Sequence, residues 1–372
     1  MDTLDYMLEH GHEKLVHVTD EASGLRAVIA VHSTALGPSL GGIRFWHYDD
    51  ANAAVFDVLR LSEAMSFKAA CAGLPQGGGK AVVLVDDPHA PRSDALLEAL
   101  GAAVNELGGR YIAAEDVGAT TRDMDVIATR TPWVTGVSEA DGGSGDPSPV
   151  TAVGVLAAMR AALDLRLGRS DFEGVRVAVQ GCGKVGSYLV RLLVDAGATV
   201  SIADIDAERT AALAESTGAQ VVSVDEVLFS DADVVAPCAL GGVLNETSIP
   251  RIAAPIVCGG ANNQLATDAD DGRLAEAGAL FVPDFVANAG GIINLGRELL
   301  GYDRDEAIAR TEAIGTTVRE VIELGNELGV PPGAAAIALA RRRIREGALP
   351  GGRWQPGSPT AWTNGVGLTG LR

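Results

Sequence analysis

Residues 175–206 read "VRVAVQGCGKVGSYLVRLLVDAGATVSIADID". The apolar run from Val175 to Val179 has the length and β-branched content of a buried strand. It runs into Gly181, Gly183 and Gly186 of a G-x-G-x-x-G pattern, with Lys184 and Val185 inside the pattern. A helical stretch follows, then a second apolar run that ends at Asp204. Glycines in this register permit a tight turn, let backbone approach a pyrophosphate and let the helix pack on the strand, while the helix N-terminus faces the negative charge. A carboxylate at the end of the second strand accepts from a ribose 2′-OH and repels a 2′-phosphate. The stretch therefore predicts an α/β unit that binds a dinucleotide, NAD in preference to NADP.

Working outward, the sequence alternates strands and helices on both sides. Upstream, "LRAVIAVHST" reads as a strand, "ANAAVFDVLRLSEAMSFKAACAGL" as a helix, "KAVVLVDD" as a strand, "SDALLEALGAAVNELGG" as a helix and "RYIAAEDVG" as a strand. Interleaving of this kind indicates α/β layers. Residues 138–150, "SEADGGSGDPSPV", are rich in Gly, Ser, Pro and acid, and form the best candidate boundary. Downstream, "TAVGVLAAMRAALDLRLG" predicts a long helix before the dinucleotide stretch. A helix from Ala207, strands in "ADVVAPCAL" and "PIVCGGANN", and the segment "LFVPDFVANAGG" come after it. The chain then reads as helical through "DEAIARTEAIGTTVREVIELGNELG" and "PGAAAIALARRRIREG". The expected division is residues 1–140, residues 141–330 and a loose tail at 350–372 with Trp354 and Trp362 as anchors; the helices from about 330 are expected to pack back on the first domain.

Composition excludes several function classes. The chain has 372 residues, 47% hydrophobic and 21% charged, enough for two domains with full cores. A net charge of −20 repels nucleic acid and anionic membrane. Apolar runs stop well short of the roughly 20 residues a spanning helix needs. The acidic start, "MDTLDYMLEHGHEK", lacks the features of a signal peptide, so a cytoplasmic protein is expected. Cys71, Cys182, Cys238 and Cys258 show no C-x-x-C spacing and lie in apolar or glycine-rich runs, as buried reduced thiols do. His10 and His12 are too weak a pair to predict a metal, and none is expected.

Residues 73–83, "GLPQGGGKAVV", raise a separate question. A phosphate-binding P-loop requires Ser or Thr after its lysine and an earlier glycine, whereas Ala81 and Leu74 occupy those places. The sequence holds 25 arginines but only four lysines: Lys14, Lys68, Lys80 and Lys184. Arginine stays charged, whereas an amine can lose its proton, so a retained lysine suits proton chemistry. Glycines 77–79 are expected to form a loop that makes room for the approach of substrate and backbone to Lys80.

Seven stretches carry a resemblance, in order: "LGPSLGGIRF", "MSFKAACAGLPQGGGKAVV", "YIAAEDVGATTRDMDVIA", "GCGKVG", "APCALGG", "GGANNQL" and "PDFVANAGG". Together they resemble the leucine, valine, phenylalanine and glutamate dehydrogenase superfamily over residues 15–345, most closely its branched-chain members. The resemblance implies an N-terminal α/β substrate-binding and oligomerisation domain, a C-terminal Rossmann-type dinucleotide-binding domain, an active site in the cleft between them, and a homo-oligomer. It also implies oxidative deamination of an L-amino acid to the 2-oxo acid and ammonium. Under it, Lys80 corresponds to the lysine that activates water, Asp116 to the acid that exchanges protons with the amino group, and Lys68 to the lysine on the substrate carboxylate. Gly42, Asn262 and Asn288 also fall at substrate positions, while Thr151, Cys238, Ala239, Asn262 and Asn288 join the glycine loop around NAD.

Leu40 stands where glutamate-specific relatives carry a lysine, so an anionic side chain would lie unpaired there at a cost of several kcal/mol. Ala114, Ile292 and Leu295 fall at positions lining the side-chain pocket, and Ile292 is bulky enough to shorten it. Overlapping activity on valine, leucine and isoleucine is expected, since one methylene discriminates by only about 1–3 kcal/mol. "LGRELLG" resembles the phenylalanine branch and keeps phenylalanine as the alternative substrate. A non-catalytic NAD-binding regulator is the rival of another class, against which the joint retention of Lys68, Lys80 and Asp116 argues.

Overall fold

The structure is a computed structural model that describes residues 2–298, 301–349 and 351–355. Two compact units emerge: Met1–Asp146 with Asn294–Arg304 and Ala340–Arg372, and Pro147–Ile293 with Asp305–Leu339. Among the described residues no helix is long and apolar enough to cross a membrane.

The first unit begins with α1 (Thr3–His10), capped by the Asp2 carboxylate on the N–H groups of Leu4 and Asp5. Strands β1 (Lys14–Asp20), β2 (Leu25–Ser33) and β3 (Ser39–Trp46) precede α2 (Ala51–Cys71). Then come β4 (Gly77–Leu84), α3 (Asp94–Glu106), β5 (Tyr111–Glu115) and α4 (Thr121–Ala128), the last closed by a Thr120–Asp123 capping box. The sheet order is β1-β2-β4-β3-β5, with β4 antiparallel to β2 and parallel to β3.

Apolar runs rather than alternating ones fill the central strands because both sheet faces are covered. Ile29, Ile43, Phe45 and Val83 meet Leu97, Leu100 and Met124 on one face, and Val28, Ala30 and Val82 meet Val55, Val58 and Leu59 of α2 on the other. Each such side chain stabilises the fold by about 1.5–3 kcal/mol.

The second unit opens with α5 (Ser148–Leu167) and continues through β6 (Arg176–Gln180), α6 (Lys184–Asp195), β7 (Thr199–Ala203), α7 (Ala207–Thr217), β8 (Gln220–Val221), β9 (Val234–Pro237) and β10 (Ile256–Val257). Next are α8 (Ala269–Glu276), β11 (Leu280–Phe281), α9 (Asp284–Ala287) and α10 (Gly290–Glu298), followed by α11 (Arg304–Glu312), α12 (Ile314–Leu328) and α13 (Pro332–Glu346). The sheet order β11-β10-β9-β6-β7-β8, with every pairing parallel, is that of a Rossmann fold, and its switch point lies between β6 and β9.

Of the four unit boundaries, one lies just before α5, one inside α10, one after the first residue of α11 and one inside α13. Gln76 donates to Gly296 O at 3.1 Å, and Glu298 accepts from the N–H groups of Gly136 and Ser144, which holds the end of α10 within the first unit. Arg343 Nη1 donates to Cys71 O at 2.7 Å and to Ala70 O at 3.2 Å at the C-terminus of α2, where Ala70 O also accepts from Gly73 N–H. Trp354 is buried against Trp133, and its N–H donates to Thr34 O at 3.0 Å. Trp362 lies outside the described residues.

Two sequence expectations require correction. Gly77, Gly78 and Gly79 are not a loop; they are the first three residues of β4, all buried. A Cβ on Gly77 would sit 1.8 Å from Ser33 O, one on Gly78 2.1 Å from Ser66 N, and one on Gly79 2.6 Å from Ser39 Oγ. These glycines make room for β2, α2 and β3, not for a ligand. The stretch expected to be helical before Gly329 forms two helices, α11 and α12, which meet at Ala313. The strand expected in "PIVCGGANN" covers only Ile256 and Val257, because Gly259 packs so tightly on Pro237 that the chain leaves the sheet there.

Candidate active site

Lys80 is the fourth residue of β4, the central strand of its sheet, and only 4% of it is exposed. Its Nζ lies 2.7 Å from Asp116 Oδ2, just past the end of β5. The same oxygen accepts from Arg44 Nε of β3 at 3.2 Å. Arg44 extends its fork to Asp57 Oδ2 on α2 at 3.0 Å, and Asp57 also accepts from Tyr48 Oη at 2.6 Å and from Arg60 at 2.8 Å.

This arrangement sets the protonation states. Burial pushes the Lys80 ammonium below its ordinary value and the Arg44 charge adds to the push, while Asp116 pulls the other way without restoring it. Burial raises Asp116, but the charges of Lys80 and Arg44 overcome it and hold the carboxyl below the usual range. The result is a fixed carboxylate beside an amine that holds its proton less tightly than a solvated lysine does. A lysine acts as a general base only when its pKa is lowered in this direction.

Neighbouring strands bring further expected residues to this pair. Leu40 and Gly42 lie on β3, and Gly42 pairs with Ala114 of β5. A Cβ on Gly42 would come 2.4 Å from Asp116 Cβ, so the glycine lets the carboxylate sit against the sheet. Leu295 packs near Gly136, which neighbours Glu115. Lys68 occupies the last turn of α2 and is half-buried. Sequence reading missed Arg44; among 25 arginines only its place two residues after the Gly41–Gly42 pair marks it out.

In the second unit, Gly181 adopts φ 102°, and a Cβ there would strike Ala239 N at 2.7 Å. Gly186 packs on Gly181 O, with 2.0 Å left for a Cβ. Gly183 caps α6 with no side-chain hydrogen bond, and a Cβ on it would meet no described atom within 4 Å. The first turn of α6, with Lys184 and Val185, thus presents open N–H groups where a phosphate fits. Asp204 accepts from Cys182 N at 2.6 Å and Asp206 N at 2.9 Å; burial raises its pKa, but these bonds and Arg209 hold it below the usual carboxylate range.

Two apolar side chains beyond the ends of β7 and β9, Ile205 and Leu240, are 90% and 76% exposed. Cys238 Sγ accepts from Gly260 N at 3.3 Å, and burial pushes its thiol up to about 12. Asn288 Nδ2 donates to Asn262 Oδ1 at 2.8 Å, which places these two expected residues together. Thr151 on α5 donates to Pro147 O and lies against Gly291, next to Ile292. The residues present therefore fit a dinucleotide.

Known proteins match most of the chain. Residues 12–133 match the family model described as Glu/Leu/Phe/Val dehydrogenase, dimerisation domain, and residues 142–208 and 202–344 match that of Glutamate/Leucine/Phenylalanine/Valine dehydrogenase. The chain is 43% identical over 344 residues to a leucine dehydrogenase of Bacillus cereus, covering 92% of this chain and 94% of that one. It is 45% identical over 349 residues to a valine dehydrogenase of Streptomyces virginiae, covering 93% and 97%. Among solved structures, L-tryptophan dehydrogenase from Nostoc punctiforme superposes with a TM-score of 0.83 at 38% identity, covering 92% of this chain and 99% of that one.

Proposed function

The chain belongs to the Glu/Leu/Phe/Val dehydrogenase family of amino acid dehydrogenases, and we propose that it deaminates branched-chain aliphatic L-amino acids with NAD+. The observation that carries this reading is the ion pair of Lys80 with Asp116, 2.7 Å apart, with the lysine buried at the centre of its sheet. The reaction converts an L-amino acid, NAD+ and water to a 2-oxo acid, ammonium, NADH and a proton. The glycine loop and Asp204 would hold NAD+, which would supply a hydride acceptor for the hydrogen on the substrate Cα. Asp116, held by two cations, orients the substrate amino group and exchanges protons with it. Lys80 in its neutral form takes a proton from the water that attacks the iminium carbon. Lys68 pairs with the substrate carboxylate, and Asn262 and Asn288 position the substrate and the nicotinamide.

Substrate choice follows from Leu40, Ala114, Ile292 and Leu295, all buried and apolar. No cation among them would compensate the carboxylate of glutamate. The preference for NAD over NADP is assigned to Asp204, whose charge opposes a 2′-phosphate. Thr151, Lys184, Val185, Cys238 and Ala239 are assigned to the same cofactor, with Ala239 and Cys238 packed beside Gly181 and Gly186. A homo-oligomer is proposed from the match of residues 12–133 to a dimerisation domain.

The test is a substrate panel. Purified protein is incubated with NAD+ or NADP+ and single L-amino acids, and the absorbance of reduced nicotinamide is followed. Valine, leucine and isoleucine should be turned over faster than phenylalanine and glutamate, with NAD+ preferred. Lys80→Ala should lose that turnover while still binding NAD+. Wild-type inactivity on every amino acid would overturn the reading.

A further inference from the structure

We propose that Arg44 is a positioning residue for deamination, fixing Asp116 from β3 while Lys80 reaches the same carboxylate from β4. The inference rests on the roles given above to Lys80 and Asp116. One oxygen, Asp116 Oδ2, accepts from both cations, at 2.7 Å from Lys80 and 3.2 Å from Arg44. Arg44 does not end there. Its Nη1 is tied to Asp57, which is itself held by Tyr48 Oη and Arg60, so the guanidinium is anchored at both ends of its fork. A planar fork can span two carboxylates in this way, whereas the single nitrogen of a lysine cannot.

Two consequences follow for the chemistry. The carboxylate that must meet the substrate amino group is fixed in position, and catalytic geometry is sensitive at the scale of about 1 Å. Arg44 also places a permanent positive charge within about 6 Å of the Lys80 amine, in the range where like charges shift a pKa. The groups around Lys80 are Asp116 beyond β5, Arg44 on β3 and Asp57 on α2. Arg60 and Tyr48 hold Asp57, and buried Tyr111 on β5 donates to Gly41 O. Of these, Arg44 alone combines direct contact with Asp116 and a charge that eases proton loss from Lys80.

The experiment measures kcat, KM and the pH profile of kcat/KM in the intact enzyme with the best amino acid of the panel, for wild type, Arg44→Lys, Arg44→Met and Asp57→Asn. Arg44→Met should lower kcat by about 10- to 100-fold and move the acid limb up by about one pH unit, since Lys80 then keeps its proton longer. Arg44→Lys keeps a charge but loses the bridge, so kcat should fall with a smaller movement of the limb. Asp57→Asn should reduce kcat less than either. Should circular dichroism show Arg44→Met to be unfolded, Arg44→Lys and Asp57→Asn decide: lowered kcat with unchanged KM for NAD+ supports the inference, and wild-type kcat in both overturns it. A loss confined to KM, or an unmoved limb in folded Arg44→Met, also overturns it. Active wild type with unaffected variants defeats this inference alone, whereas inactive wild type defeats the functional reading with it.

Discussion

Removing the carboxylate from the Lys80–Asp116–Arg44 cluster should harm the fold more than removing the amine, and by an amount that depends on pH. With an effective dielectric of about 20, the 2.7 Å contact between Lys80 and Asp116 is worth about 6 kcal/mol before desolvation is counted. Asp116→Asn abolishes that attraction and leaves the two cations no more than about 6 Å apart, where their repulsion is at least about 3 kcal/mol on the same scale. The carboxylate's desolvation cost, no longer incurred, offsets part of this, and breaking a buried pair from one side costs about 3–5 kcal/mol net. Lys80 can relieve the repulsion by losing its proton. In the variant its folded pKa lies still further below its unfolded value, so across that window the unfolded chain binds more protons and stability rises with pH. Lys80→Met, in contrast, leaves Asp116 paired with Arg44 at 3.2 Å and should cost less than about 1.5 kcal/mol. Urea unfolding followed by circular dichroism at pH 6 and pH 9 reads both effects. The expected result is a loss of about 3 kcal/mol for Asp116→Asn at pH 6 that shrinks at pH 9, and little pH dependence for Lys80→Met. An equal loss at both pH values, or a larger loss for Lys80→Met, would refute the charge argument.

Two further substitutions test the geometry separately. Gly42→Ala brings a Cβ within 2.4 Å of Asp116 Cβ, so the carboxylate must move; kcat should fall about 100-fold with about 1–3 kcal/mol of destabilisation, and unimpaired kinetics would show that Asp116 has slack. Asp204→Ala should raise KM for NAD+ about tenfold, while KM for NADP+ changes less because the repulsion of its 2′-phosphate is gone; an unchanged ratio would mean that another residue sets the preference.

Some of this was readable in the amino-acid order and some was not, for identifiable reasons. Residues 175–206 announce themselves because strand, glycine turn, helix, strand and acid are all local, and β6, α6 and β7 appear in that order. Strand β3 was missed because Gly41 and Gly42 suppress its strand signal, although both are needed for contact with β4 and β5: a Cβ on Gly41 would lie 1.7 Å from Gly79 O. Gly77–Gly79 were read as a loop for the same reason. Composition registers what a glycine lacks, and only the fold shows what occupies the space. Arg44 escaped notice because its meaning depends on Asp57 and Asp116, which are 13 and 72 positions away. Lys80 was found despite similar remoteness, since lysine is rare in this chain and its neighbours form a recognisable motif.

The glycines and the chemistry are one arrangement. An amine in solution holds its proton near pH 10 and is useless as a neutral base. Burial lowers that value, but a sheet can bury a lysine at its centre only if the adjoining backbones close over the strand. Gly41 and Gly42 of β3 and Gly77–Gly79 of β4 allow this, each at a position where a Cβ would collide with a neighbouring strand, helix or carboxylate. Burial alone would leave a neutral amine with nothing to orient it, so Asp116 supplies direction and Arg44 keeps that carboxylate charged and in place. The five glycines are therefore as much a part of the base as Lys80. Alanine at any of them should show first as a displaced Lys80–Asp116 contact and a shifted pH profile, ahead of any loss of the apolar core on either face of the sheet.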